Sequence, residues 1–237
     1  SSLVGSEMCI RDRPPSAPDA KTLGWAAVFF PAVGAGLGWA GYLVHEAGAL
    51  WWPRELSAAL ALGTLALLTG ALHEDGLADT ADAFGSQTTR EGLFRVLKDS
   101  RIGTYGTVGL VVTYLLRWIC LSRLGLAGFL VCQTASPAGV VTLAAWAGPA
   151  SEGSGGSFAA AMGRGHVMAA WLCAALFFYP VYRDPAIGWC VGGCLLLAGL
   201  ASAYFKRRLG GVTGDCLGAT AIAMECLVLL VLTAEAP

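Results

Sequence analysis

Long apolar runs separated by short polar loops constrain this chain more than any other feature. Runs at 22–44, 105–121, 124–147, 185–204 and 216–233 are each about the length a helix needs to cross a bilayer, and shorter ones lie at 56–72 and 167–182. The chain is 56% hydrophobic and only 13% charged, whereas soluble domains carry about 25% charged residues. The expected fold is therefore all-α: a polytopic membrane helix bundle with about seven spans and short cytoplasmic motif helices between them. A net charge of −1 argues against nucleic acid as a partner. Eight cysteines lie mostly inside the apolar runs, without a CxxC pair or zinc spacing, and read as small buried hydrophobes.

Residues 1–13, SSLVGSEMCIRDR, look foreign to a membrane protein, with neither a basic start nor an apolar signal region. A single integral membrane domain is expected over 14–237. In its first run, Pro31 and many glycines predict a kinked, closely packed helix. His45 is expected at a membrane interface, where Trp51 and Trp52 would form an aromatic belt. Arg117, inside a span, is expected to snorkel to the far interface rather than line a cavity.

The polar stretch 73–106 carries most of the clustered charge. Asp75, Asp79 and Asp82 are spaced i, i+4, i+7, which places three carboxylates on one helical face. Like charges so placed repel, and a helix that keeps them needs a cation. Oxygen-only ligands suit a hard ion such as Mg²⁺, which keeps several waters and bridges to phosphates. The helix is expected to stop near Gly85-Ser86. Thr88 with Glu91 then reads as a capping-box start for a second short helix running to about Lys98.

Counting spans places the 73–106 loop, the 148–166 loop and the 206–218 segment on one side. That side holds Arg90, Arg95, Lys98, Arg101, Arg164, Lys206, Arg207 and Arg208, against only Arg54, Arg123 and Arg183 opposite, so the motif loops are expected to be cytoplasmic. One mouth would then gather the aspartates with Arg90, Lys98 and Arg101, the parts needed to position a diphosphate and neutralise its charge. His73 would either take the proton of an attacking hydroxyl or orient a carboxylate. Asp99 is a further site carboxylate or the partner of Arg101. Asp215, in Thr213-Gly214-Asp215, is a site carboxylate or a helix cap. Glu225, deeper in the last span, should face other helices. The Gly-rich loop around 152–156 reads as flexible, a weak phosphate signal at most.

Together, HEDGLADTADAFGS, LKDSRIGTYG and LGGVTGDCLGA resemble the cobalamin synthase family, the membrane-bound adenosylcobinamide-GDP ribazoletransferases; FPAVGAGLG resembles an early part of the same family. The resemblance runs in order from about Phe29 onward. It implies a reaction between adenosylcobinamide-GDP and the ribose hydroxyl of α-ribazole, or its 5'-phosphate. GMP is released and adenosylcobalamin, or its 5'-phosphate, forms, with Mg²⁺ required, at the bacterial cytoplasmic (inner) membrane. Family motif positions fall on His73, Asp75, Gly76, Asp79, Asp82, Lys98, Asp99, Ser100, Arg101, Gly103, Gly211, Thr213, Gly214, Asp215 and Glu225. The chain departs from the family at Ala83-Phe84, at Pro137 and Ala150 (where arginines are usual) and at Ile222, where a carboxylate is usual. Losing two arginines would weaken diphosphate binding. A CDP-alcohol phosphotransferase is the nearest rival, but Leu77-Ala78-Asp79 stands where that pattern needs Ala-Arg. A cation- or proton-coupled transporter is a weaker one, since the acids gather in one loop and no inverted repeat shows.

Overall fold

The computed structural model describes residues 20–178 and 185–235, so segment 1–13, Arg183 and the end of the fifth apolar run lie outside it. Among the described residues there are eleven helices, and the β content is one isolated bridge, Pro149 to Val212. Five helical stretches are long and apolar enough to cross a membrane. Two further pairs, each sharply bent, bring the count to as many as seven. The chain is a multi-pass helical membrane protein.

The first stretch is α1 (Ala20–Ala27) followed by α2 (Phe30–Ala49). The stretch is one apolar span interrupted at Val28–Phe29, just before Pro31, which sits in the first turn of α2, where its missing N–H has no intrahelical bond to lose. The glycines do what their spacing predicts: a Cβ on Gly38 would sit 2.7 Å from the carbonyl oxygen of Phe129, so only glycine admits so close an approach to α7 (Leu126–Ala147). His45, near the end of α2, is fully buried, tilted against Phe129 and 3.2 Å from Arg54 Nη1.

Next come α3 (Arg54–Thr69) and α4 (Leu72–Ser86), meeting at 89°. Gly70 and Ala71 both adopt left-handed backbone there. The bend turns α4 back against α11 (Gly214–Glu235) and α6 (Thr104–Arg123). Between α4 and α6, the short α5 (Arg90–Val96) is capped by Thr89, whose hydroxyl accepts from the Gly92 N–H at 3.2 Å. The cap is Thr89 and not Thr88. Helix α6 exposes Val108, Val111, Val112, Leu115 and Ile119, a face suited to lipid.

The Gly-rich segment expected to be a flexible loop folds into α8 (Ser154–Ala161), set at 95° to α9 (Arg164–Phe178). Helix α10 (Ala186–Leu209) carries its basic run in the last turn, where cations offset the helix dipole. Arg208 there donates to the Gln87 carbonyl at 3.0 Å. Ala150 N–H donates to Val212 O and Val212 N–H to Gly148 O, stitching the α7–α8 connection to the start of α11. The ends of α4, α7 and α10 and the starts of α2, α6, α8 and α11 thus gather at one end of the bundle.

Candidate active site

Helix α4 meets the start of α11 at a glycine. A Cβ on Gly76 would lie 2.9 Å from the Asp215 carbonyl oxygen, so the absent side chain lets the two backbones touch. This crossing brings His73 and Asp75 beside Asp215 around a cleft of about 280 Å³, which Ser154 and Gly155 of α8 also line. A contiguous cavity of about 200 Å³ shares Ser154, Gly155, Gly214 and Asp215, and reaches outward to Lys98, Glu152 and Thr213. Segments far apart in the chain therefore share one mouth.

The three helical aspartates lie on one face, as their spacing requires, but they have different neighbours. Asp79, half-buried, lies among Asp75, Asp82, Asp99 and Asp215. Asp82 is buried at the start of α6, where its two oxygens accept from the Gly103 N–H at 2.6 Å and the Gly106 N–H at 2.9 Å. Its carboxylate thereby satisfies two backbone donors of α6 that lack intrahelical partners. Among the described residues no three His, Cys, Asp or Glu side chains converge closely enough to hold a metal unaided.

That arrangement bears on Asp82 directly. Asp82→Asn offers one oxygen to two amides and turns an NH₂ toward the second. Hydrogen bonds to charged groups contribute roughly 1.5–3 kcal/mol. The variant is expected to lose about 2 kcal/mol of stability, seen as a lower unfolding midpoint in detergent. An unchanged midpoint would show that the carboxylate does not cap α6.

Asp99 makes a close pair with Arg101, 2.6 Å from Oδ2 to Nη2, and also accepts from the Arg101 backbone. The Arg101 hydrogen bonds hold its carboxyl down, at about 2, so it stays ionised at neutral pH. Lys98 lines the outer cavity. Arg90 lies near Gly210 and over the Phe94 ring, lining neither cavity, and Ser100 is exposed. Thr213, rather than Asp215, caps α11: its hydroxyl is 3.4 Å from the Cys216 N–H. Asp215 is thus left to the cleft, in the first turn of α11.

Deeper in the bundle, Arg117 does not snorkel. Its Nη1 lies 3.0 Å from Glu74 Oε1 and its Nη2 3.0 Å from Glu225 Oε2, with all three side chains under 10% exposed. This triad joins α4, α6 and α11. Sequence reasoning missed Glu74 entirely. The available signal was one cation and two acids in apolar surroundings, since charges within a bundle pair with one another. Of the departing positions, Pro137 lines a deeper cavity with Glu225, Ala150 serves the backbone stitch, and Ile222 is buried.

The family model for cobalamin-5-phosphate synthase matches residues 10–233. The chain belongs to the cobalamin-5-phosphate synthase family. Curated relatives named adenosylcobinamide-GDP ribazoletransferase agree in length as well as sequence. The one from Bradyrhizobium diazoefficiens is 40% identical over 219 residues, covering 89% of this chain and 82% of that protein. The relative from Ralstonia nicotianae is 38% identical, covering 88% and 84%, and that from Geotalea daltonii is 37% identical, covering 90% and 87%. No solved structure matches this cobalamin-5-phosphate synthase family member.

Proposed function

We propose that the protein transfers the cobinamide phosphate of adenosylcobinamide-GDP to the ribose hydroxyl of α-ribazole, or of its 5'-phosphate. The hydroxyl oxygen forms a bond to the cobinamide-proximal phosphorus, and the bond from that phosphorus to the bridging oxygen breaks. GMP leaves with the electron pair, and adenosylcobalamin or its 5'-phosphate results. The observation that carries the reading is the shared mouth: Asp75, Asp215, Lys98 and the 151–156 segment line adjoining cavities in a chain of this family.

His73, at the inner edge of the cleft, is placed to take the hydroxyl proton. Lys98 supplies positive charge for phosphate oxygens, and the amides at the start of α8 offer further donors. The donor set fits Mg²⁺: it is all oxygen, and this ion is commonly held by one or two carboxylates with the remainder from substrate phosphates and water. Asp75 and Asp215, which line one cleft, would hold it, and when bound it would neutralise charge on the diphosphate. Asp99 stays paired with Arg101 and helps set the position of the Lys98–Arg101 loop. The excess of Arg90, Arg95, Lys98, Arg101, Arg164, Lys206, Arg207 and Arg208 over Arg54 and Arg123 supports a mouth that faces the cytoplasm, with the protein in a bacterial inner membrane.

The test is turnover. Purified protein in detergent, given adenosylcobinamide-GDP, α-ribazole and Mg²⁺, is expected to release one GMP for each cobalamin formed. GMP release that needs no acceptor, or none at all, would contradict the reading.

A further inference from the structure

Beyond the carboxylates the cleft continues inward. A cavity of about 260 Å³ opens between α2 and α7 and shares Phe30, His73 and Val140 with the one that holds Asp75 and Asp215. Its walls are apolar: Phe30, Val33, Leu37, Pro137 and Val140. Its polar lining is His73 at the mouth, Ser136, whose hydroxyl donates to the Ala221 carbonyl, and, further in, Gln133 and Glu225. Glu225 is 3% exposed, and its Oε2 accepts no hydrogen bond of good geometry although Arg117 lies 3.0 Å away. Gln133 and Glu225 both line this cavity, and a primary amide carries two N–H donors.

We infer that this slot takes the flat heteroaromatic base of the acceptor nucleoside, with Gln133 and Glu225 reading the base's ring nitrogen. The inference rests on the reaction proposed above. A nucleoside whose ribose hydroxyl reacts beside His73 must place its base one sugar ring away, and the adjoining space on the inner side of His73 is this slot. Apolar walls favour a planar ring over the polar guanosine or the charged diphosphate. The Gln133 amide donates to a bare ring nitrogen, and the Glu225 carboxylate accepts from a protonated one. A lipid acyl chain has no use for either group, and burying both against hydrocarbon leaves polar atoms unpaired.

Two variants test this on the full chain in detergent. Gln133→Leu keeps the side chain's bulk and removes the donor. It is expected to raise KM for α-ribazole about tenfold and leave KM for adenosylcobinamide-GDP unchanged. An indole riboside, which lacks the ring nitrogen, should show no difference between wild type and variant. Val33→Trp narrows the slot at its edge and should favour a nucleoside bearing a smaller imidazole base over α-ribazole. Equal changes in both KM values, the same loss with the indole analogue, or no change in base preference would overturn the assignment. Equilibrium dialysis of α-ribazole reads the slot without turnover. Binding that Gln133→Leu weakens supports the slot even if the wild type releases no GMP, a result that would count against the reaction alone. No nucleoside binding, or binding that neither variant weakens, would leave lipid as the occupant and overturn the inference.

Discussion

Arg117→Ala is expected to cost roughly 3–5 kcal/mol of stability, the usual consequence of removing one partner from a buried ion pair. Arg117 is the one cation between Glu74 and Glu225, and both carboxylates would then face each other inside the bundle without compensation. Because Glu74 lies on α4, the loss also loosens the helix that carries His73, Asp75 and Asp79. A sharp fall in the unfolding midpoint in detergent should accompany lost turnover. Adding Glu74→Gln and Glu225→Gln to Arg117→Ala should recover much of the midpoint, since a neutral set avoids the desolvation of charge. A midpoint unchanged by Arg117→Ala would show that the triad does not hold the three helices together.

The second large effect belongs to chemistry rather than folding. Asp215→Asn preserves shape, and Thr213 remains to cap α11, so the unfolding free energy should stay within about 1 kcal/mol of wild type. Turnover, in contrast, is expected to fall by roughly 10²–10³, the range seen when a preorganised electrostatic group is removed from a reacting centre. Initial rates of GMP release at saturating substrates measure it. A rate within twofold of wild type would return Asp215 to a structural role. The contrast with Asp82→Asn is informative, because that substitution should lower stability first.

Much of this arrangement is legible in the chain because its physics is local. Apolar length marks the spans, and the i, i+4, i+7 aspartates mark α4 and the face it turns to the site, ending at Ser86 as its Gly-Ser signal suggests. Span parity places the three polar segments at one end. Partners set by contact across the bundle are harder to read. A lone Arg117 in an apolar run reads as a snorkelling residue because Glu225 lies in another span and Glu74 hides among motif aspartates. The capping-box spacing to Glu91 favours Thr88 of two adjacent threonines, yet Thr89 is the one whose hydroxyl accepts from the Gly92 N–H. The glycines around 155 look flexible, yet Gly155 packs directly on the Gly214 backbone, and that contact fixes α8. Asp82 shares a face with the other two acids, but the α6 amides that claim it come from a different segment.

The shared mouth is best tested by sided labelling. Lys98, Glu152 and Arg207 are all exposed at that end, while the described cysteines are buried or partly so, which keeps background low. Single substitutions Lys98→Cys, Glu152→Cys and Arg207→Cys, in sealed vesicles of one orientation, are exposed to a membrane-impermeant maleimide. All three should react from the same face, the cytoplasmic one, and be protected from the other. Labelling of any one of them from the opposite face would separate the segments by the thickness of the bilayer and dissolve the site.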